Sequence, residues 1–274
     1  MTALVIYLRK RLRSYGPFLL LLIFILALWE WLVRSGAVPA FIVPAPSSIA
    51  AALIHNRALL LSTHLPVTLA EAALGFALSV LLGTCLGTWM HMSRIVERAV
   101  YPFVIISQTL PLIALSPIFI MWFGYSIWSK VAVVILTAFF PIVVGTYDGL
   151  RTGGQAYSEL LRTMGANRLQ LLLRLQVPLA LPSFFSGLKL SVVYCVIGAT
   201  IGEWLGGSSG LGYYSRRTAG NLQSDALFAA VLLLSLLGLA LFLGVALIER
   251  TILGRGGFAA LTGRTRSHAR KQNT

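Results

Sequence analysis

Long apolar runs alternate with short polar segments along the whole of this 274-residue chain. A bilayer core about 30 Å thick needs roughly 20 mostly apolar residues in each helix that crosses it, so the longest runs predict membrane spans. The six predicted spans cover residues 17–33, 66–90, 99–123, 131–147, 183–202 and 226–248. We therefore expect an all-α membrane protein whose six transmembrane helices form one domain over residues 1–253.

The composition agrees with a chain that is surrounded mostly by lipid. Hydrophobic residues make up 57% of the sequence and charged residues 11%, a balance that excludes an ordinary water-soluble domain. The net charge of +14 does not indicate nucleic-acid binding, because the basic residues flank the apolar runs. The terminal clusters are Arg9, Lys10, Arg11 and Arg13, then Arg250, Arg255, Arg264, Arg266, Arg270 and Lys271. Since Lys and Arg mark the cytoplasmic side, both termini are predicted to be cytoplasmic.

The two ends of the chain are predicted to differ in structure. The first apolar run has no clear small-residue cleavage site before Arg34, so it is interpreted as a retained helix rather than a signal peptide. Residues 254–274 are rich in Gly, Arg, Ser and Thr and are expected to form a basic, disordered cytoplasmic tail. Between the first two spans, Ser47 or Ser48 is expected to cap a short outer helix.

Polar residues and prolines interrupt the third predicted span. A proline removes a backbone donor and frees a carbonyl that lipid cannot satisfy. Two interpretations stay open: a kinked helix whose Ser and Thr side chains bond their own backbone, or a helix that lines a water-filled path. The candidate path residues are Ser107, Gln108, Thr109, Pro111 and Ser116. In the second span, Gly75, Gly83 and Gly87 share one helix face, which favours plain helix packing.

The segment over residues 148–182 is the longest polar stretch between two spans. Ser158 is expected to cap a helix in which Leu160, Leu161 and Met164 form an apolar side. Gly165 would end this helix or admit a close neighbour. A second helical piece over residues 167–176 is expected to end before Pro178, giving a helix, a turn and a helix.

The spacing of Glu159, Gly165, Leu175, Val177 and Pro178 resembles the cytoplasmic EAA loop, E-A-A-x3-G-x9-I-x-L-P, of binding-protein-dependent ABC importer permeases. The resemblance implies the type I ABC importer permease fold, with a coupling helix that docks in a groove of a cytoplasmic ATPase. Leucines replace the two alanines of the pattern, which lowers its specificity but keeps an apolar docking face. The residues that would couple to the ATPase are Glu159, Leu160, Leu161, Met164, Gly165, Ala166 and Pro178.

Two further segments extend the resemblance. The third span resembles the corresponding helix of the nitrate, sulfonate and taurine group, and most of all the permeases for thiamine pyrimidine precursors and for riboflavin. The segment EWLGGSSGLG resembles the region near the outer gate of these permeases, which implies a gate role for Glu203, Gly210 and Gly212. A flexible connector is the alternative for any single residue of that segment.

Acidic residues near the span ends need an explanation, because a charge in lipid is costly. The four that fall toward the predicted outer ends are Glu30, Glu71, Glu203 and Asp225. Structural pairing with Arg34, Arg216 or Arg217 is favoured over contact with a substrate or a gate. Asp148, at the inner end of the fourth span, is expected to anchor the coupling loop.

The sequence contains no convincing catalytic pattern. The four histidines are dispersed, and H-E-x-x-H does not occur. The letters G-x-S-x-G occur once, at residues 206–210, but they lie between two predicted helical spans and not on the strand-to-helix turn that a nucleophile elbow needs. Cys85 and Cys195 lie in apolar runs and are expected to be small buried hydrophobes. The chain is therefore expected not to be an enzyme and to bind no metal or cofactor. It has no Walker motif, so ATP and Mg would be used by a separate partner subunit.

The resemblance implies a complete set of partners in a bacterial cytoplasmic (inner) membrane. Two ABC ATPase subunits would bind inside, a substrate-binding protein outside, and a second copy of the permease alongside. A homodimer is favoured because no internal repeat is evident, and pairing with a different permease is the alternative. The favoured cargo is a thiamine pyrimidine precursor or a riboflavin-like heterocycle, followed by taurine, alkanesulfonate or nitrate. The alternative function is a self-contained secondary transporter or channel, which would need its own ion-coupling residues.

Overall fold

The structure is a computed structural model that describes residues 2–152 and 155–255. Every regular element in these ranges is a helix, so the predicted all-α fold is confirmed. The helices are α1 (Thr2–Arg34), α2 (Pro46–His55), α3 (Arg57–Leu59), α4 (Leu65–Met92), α5 (Arg94–Ser107), α6 (Leu112–Phe123), α7 (Ile127–Thr152), α8 (Gln155–Thr163), α9 (Arg168–Leu171), α10 (Val177–Gly206), α11 (Leu211–Gly220) and α12 (Ser224–Arg255). The tail predicted for residues 254–274 falls, from residue 256 onward, outside the described residues.

Five stretches of helix in the described ranges are long and apolar enough to cross a membrane, and α5 with α6 forms a sixth if the pair is taken as one broken span. The five are Gly16–Arg34, Arg57–Met92, Ile127–Thr152, Arg168–Gly206 and Ser224–Gly254. The axes of α5 and α6 differ by 104°. Pro111, just before α6, has an extended backbone and cannot donate the hydrogen bond that would continue α5. Pro117, by contrast, lies inside α6.

Helix α4 packs closely along α7, and the two run parallel. A Cβ atom added at Gly75 would lie 2.2 Å from Val134 Cγ1, and one at Gly87 would lie 2.8 Å from Thr146 Cβ. Residue numbers therefore rise together along both helices. This close approach is possible because the glycines of α4 have no side chains, and glycine commonly allows such helix packing in membranes.

Helix α10 packs on α7 in the opposite direction. A Cβ at Gly187 would lie 2.4 Å from the carbonyl oxygen of Pro141, and one at Gly202 would lie 3.0 Å from Lys130 Cα. Between these points the Ser191 hydroxyl donates to the carbonyl oxygen of Ala138 over 2.6 Å. Helix α7 is thus the buried centre of the bundle, with α4 and α10 on its sides.

Helix α1 contacts α2, and its Trp29 also packs against Phe228 of α12. The Glu30 carboxylate accepts from Arg34 Nε at 2.5 Å and from the Ser47 hydroxyl at 2.6 Å, so the predicted pairing of Glu30 with Arg34 is confirmed. The predicted serine cap is wrong, because α2 begins at Pro46 with Ala45 before it and no side chain caps it. Ser47 instead uses its hydroxyl and backbone N–H to hold Glu30.

Two π-helical segments, Leu60–His64 and Leu172–Gln176, lie directly before α4 and α10. Each precedes a helix whose second residue is a proline, Pro66 or Pro178. A proline ring clashes with the carbonyl four residues earlier, and the residue before each proline donates to the carbonyl five residues back, which widens the turn. The expectation that the chain stops being helical before Pro178 is therefore wrong, because helix continues to Gly206.

The order of the elements defines two opposite ends of the bundle. Helix α7 leads into α8, and α10 then runs back along α7 and leads into α11. We call the end that carries α8 the α8 end. The opposite end, which carries α2 and α11, is the α11 end.

Candidate functional site

The predicted coupling residues lie mainly on α8. This helix begins at Gln155, so Ser158 lies inside it and the predicted cap at Ser158 is wrong; the residues before Ser158 are helix-compatible and extend the helix by about one turn. Four apolar side chains, Tyr157, Leu160, Leu161 and Met164, follow the i, i+3, i+4, i+7 spacing of one helix face.

Most of this apolar face is open to solvent. Leu160 is 59% exposed and Met164 is 74% exposed, whereas Leu161 is half-buried. Glu159 is exposed on the same helix. An amphipathic helix of nine residues with its apolar face uncovered at the end of a bundle is suited to docking in a groove of a partner.

Gly165 ends this helix in a left-handed turn, with φ of +88°. Its N–H donates to the carbonyl of Arg162, and the Ala166 N–H donates to the carbonyl of Leu161. These two bonds form a Schellman motif, in which glycine is the preferred residue because it has no Cβ. The predicted helix break at Gly165 thus has a specific backbone cause.

The next segment places Pro178 in a different element from α8. Asn167 and Gln170 form a capping box at the start of α9, with the Gln170 N–H donating to Asn167 Oδ1 at 2.8 Å and the Asn167 N–H to Gln170 Oε1 at 3.0 Å. The helix then runs through the second π segment to Pro178, which is half-buried at the start of α10. Asp148, the predicted anchor, is exposed on α7.

A small cavity of about 160 Å³ lies beside the break between α5 and α6. Its polar lining comes from Ser107 and Gln108 at the break, Thr137 on α7 and Tyr194 on α10. The hydroxyl of Thr137 donates to the carbonyl oxygen of Val134 at 2.7 Å. The side chains of Gln108 and Tyr194 are therefore the polar groups of this lining that are best placed to meet a ligand.

The other predicted path residues divide between the two interpretations of the sequence. Ser107 donates to the carbonyl of Val104 at 2.7 Å, and Thr109 to that of Ile106 at 2.8 Å, so both bond their own helix. Ser116 is 1% exposed. Only Gln108 combines an exposed amide with a position on the cavity.

Glu203 does not face a path in this conformation, because its side chain is buried between α10, α4 and α11. Its Oε1 accepts from the Thr68 hydroxyl at 2.6 Å, and its Oε2 accepts from the N–H groups of Gly212 at 2.5 Å and Tyr213 at 3.2 Å. The residue is 1% exposed. Gly210 and Gly212 approach it so closely that a Cβ on Gly210 would lie 2.2 Å from Glu203 Cδ.

Two partners of this cluster were missed by the sequence analysis. His64 Nδ1 accepts from the Gly210 N–H at 3.1 Å, and the Thr68 hydroxyl accepts from the Leu211 N–H at 2.8 Å. Both side chains are buried. The signal was the helical spacing that places Thr68 on the same face of α4 as Gly75, the face that packs inward.

Further charged groups are buried near Glu203. Glu71 is 2% exposed, lies close enough to Glu203 and Lys130 to interact with both, and its Oε2 has no hydrogen-bond partner among the described residues. Lys130 Nζ donates to the carbonyl oxygens of Tyr125 and Ser126 at 3.0 and 3.1 Å.

The arginines near α11 are bonded differently from the sequence expectation. Arg216 donates to the carbonyl oxygen of Trp204, and the Asp225 carboxylate accepts from the N–H of Ala226 at 2.9 Å. No ion pair joins Glu203 or Asp225 to an arginine among the described residues. Burial, and then the nearby Asp225 carboxylate, raise the pKa of the Tyr214 hydroxyl on α11. In the part of the chain that the structure describes, no three His, Cys, Asp or Glu side chains are placed to hold a metal.

Comparison with known proteins gives consistent matches over most of the chain. Residues 75–254 match the family described as "Binding-protein-dependent transport system inner membrane component". The formylaminopyrimidine transport permease protein ThiX of Halalkalibacterium halodurans is 47% identical over 85% of this chain and 93% of its own. The riboflavin transport system permease protein RibX of Chloroflexus aurantiacus is 34% identical over 84% of this chain and 87% of its own.

A solved structure shares the fold. The chain of an inward-facing MetNI methionine ABC transporter matches with a TM-score of 0.61 and 19% sequence identity, over 68% of this chain and 93% of that one. At this level of identity the likeness concerns the fold alone.

Proposed function

We propose that this chain, which belongs to the family of binding-protein-dependent transport system inner membrane components, forms the path for a formylaminopyrimidine-like nutrient. Membership of this family makes it a permease subunit of an ABC importer rather than an enzyme. Family membership sets aside the self-contained secondary transporter or channel. The observation that carries the substrate class is the 47% identity to a formylaminopyrimidine permease, against 34% to a riboflavin permease.

The cavity at the α5–α6 break has groups that suit such a cargo. An aminopyrimidine has a flat ring and both donor and acceptor atoms at its edge. The Tyr194 ring provides an aromatic surface, and the Gln108 amide can both donate and accept. Alkanesulfonates and nitrate are anions, and taurine carries a sulfonate beside its ammonium group. The four polar lining residues supply no cationic side chain for such a negative group.

The energy for transport and the delivery of the substrate would come from other chains. The exposed face of Tyr157, Leu160 and Met164 on α8 supports docking to a cytoplasmic ATPase that hydrolyses Mg-ATP. Two permease copies would pair with two ATPases, and a substrate-binding protein would dock at the α11 end. In this arrangement the α8 end and both termini are cytoplasmic, which agrees with the distribution of basic residues.

Uptake by proteoliposomes tests the proposal. The permease is reconstituted with its ATPase and binding protein, Mg-ATP is enclosed on the ATPase side, and uptake of labelled formylaminopyrimidine is measured against competing riboflavin and taurine. We expect competition by unlabelled formylaminopyrimidine alone. Gln108→Ala should lower uptake while basal ATP hydrolysis stays unchanged, and Thr109→Ala, whose hydroxyl bonds its own helix, is the matched control. ATP-dependent uptake of taurine or riboflavin in its place would refute the substrate class.

A further inference from the structure

Four consecutive N–H groups at the start of α11 are bonded by side chains from other elements. The Gly210 N–H donates to His64 Nδ1, the Leu211 N–H to Thr68 Oγ1, and those of Gly212 and Tyr213 to Glu203 Oε2. The first N–H groups of a helix lack partners within the helix. Here the N-cap residue is a glycine without a side chain, so all of these partners come from outside α11.

The partners come from the two helices on either side of α7. His64 ends the π segment before α4, Thr68 lies in the first turn of α4, and Glu203 lies in the last turn of α10. Thr68 also donates to Glu203, so its hydroxyl joins all three helices. A carboxylate at the positive end of a helix is favoured by the helix dipole as well as by its hydrogen bonds.

We propose that Glu203, Thr68 and His64 are positioning residues that hold α11 to α4 and α10, so that these three helices move as one body when the α11 end opens. The inference rests on the proposed importer function and changes the role expected for Glu203, from a gate or path residue to a fixed support. Separating α11 would leave Oε2 of Glu203 and four N–H groups unpaired. Hydrogen bonds to charged groups contribute more to stability than bonds between neutral groups, and a buried polar group without a partner costs free energy.

The proposal limits where the structure can open. If α4, α10 and α11 stay together, opening at the α11 end has to occur between this body and another element, such as α6 beyond the break, or a second copy of the chain. It cannot occur by α11 lifting from its own bundle. Distances inside the body then remain constant through the transport cycle.

Spin labels measure this directly. On a background with Cys85→Ser and Cys195→Ala, labels are attached at Leu61→Cys and Ala219→Cys, both of which are exposed and lie on the π segment and on α11. Their separation within one copy is measured in the full complex, with labelled permease diluted into unlabelled permease, without nucleotide, with ADP, and with ATP and vanadate. We expect one distance distribution in all three states. A shift of this distance distribution with nucleotide state, in labelled protein whose His64, Thr68 and Glu203 are unchanged, would overturn the proposal.

Substitutions test which side chains hold α11 to α4 and α10. Thr68→Val keeps the shape of the side chain but removes its hydrogen bonds to Glu203 and to the Leu211 N–H, together with the longer one to the carbonyl of His64. Glu203→Gln removes the charge. Thr218→Val is the matched control, because Thr218 is also buried but its hydroxyl bonds only carbonyls of α11. We expect both test variants to broaden the distance distribution and to mobilise the label on α11, and the control to do neither.

Activity separates positioning from general instability. We expect Thr68→Val to lower ATP hydrolysis stimulated by the binding protein by about tenfold, with assembly and basal hydrolysis within twofold of wild type. A variant that loses assembly and both activities together, or one with unchanged label mobility and activity, would overturn the positioning role. If the wild-type complex shows no stimulation at all, the proposed function fails, whereas the label measurements still decide whether α11 is held.

Discussion

Truncation of the exposed apolar face of α8 should weaken the association between the permease and its ATPase. The double variant Leu160→Ala and Met164→Ala removes most of the apolar area on this face and keeps good helix formers at both positions. Neither side chain is needed inside the bundle, since Leu160 is 59% exposed and Met164 is 74% exposed. We therefore expect the permease itself to fold as the wild type does.

The size of the effect follows from the exposed fractions. Full burial of a Leu or Met side chain contributes about 1.5–3 kcal/mol, and more than half of each side chain is still available for burial by a partner. Each truncation should thus remove about 1–2 kcal/mol from docking, and the pair about 3 kcal/mol. At about 1.4 kcal/mol per tenfold change, the dissociation constant should rise on the order of 100-fold.

Binding of the ATPase to permease in lipid nanodiscs, followed by biolayer interferometry, measures this constant. Leu59→Ala is the matched control, because Leu59 is a 45% exposed leucine at the α11 end, where the ATPase does not reach. Circular dichroism and melting curves check that all variants fold. A change of less than threefold for the double variant, with wild-type permease binding normally, would refute the docking role of α8.

Two further predictions concern the bundle and are measured as melting temperatures of the purified protein. Gly75→Val should destabilise the fold by about 1–3 kcal/mol, because the valine side chain would overlap Val134. The control Gly238→Val should not, because a Cβ at Gly238 has nothing within 4 Å. Equal melting temperatures of the two variants would contradict the close packing of α4 on α7. Lys189→Ala should destabilise the protein by about 1–3 kcal/mol, because the half-buried Glu249, at 2.7 Å from Lys189 Nζ, would lose its partner. The charge swap of these two residues should recover most of the loss, and an absence of recovery would argue against the ion pair as the cause.

The membrane helices could be predicted because length and apolar character are sufficient to identify a span. The apolar face of α8 could also be predicted, since the spacing of Leu160, Leu161 and Met164 is a local helical pattern. The turn at Gly165 has the same local origin. By contrast, the helix through Pro178 was missed because the cost of a proline is usually relieved by ending the helix, and widening one turn relieves it equally well.

The cluster around Glu203 could not be derived from local patterns. Its members, His64, Thr68 and Glu203, lie up to 139 residues apart in the sequence, and their meeting depends on α4 and α10 flanking the same helix. Acids near span ends were expected to pair with arginines, which is a rule about charge. The structure satisfies Glu203 instead with N–H groups at a helix start, a partner that composition does not reveal.

The two helices that flank α7 begin in the same way at opposite ends of the bundle. Residues 59–92 and 171–204 align without a gap: both contain a five-residue π segment, then Pro66 or Pro178, then Gly75 or Gly187 facing α7. Because they run in opposite directions, the similarity is inverted, an arrangement also found in transporters of other kinds.

The inverted relation accounts for the contacts at both ends. At the α11 end, Glu203 near the end of α10 reaches the start of α4 through Thr68, beside His64. At the α8 end, the residue that aligns with Glu203 is His91, and its Nε2 lies 3.0 Å from Oε1 of Gln176, which aligns with His64. Each helix thus ends against the π segment or first turn of the other. The contact between His91 and Gln176 therefore connects the second π segment directly to the end of α4.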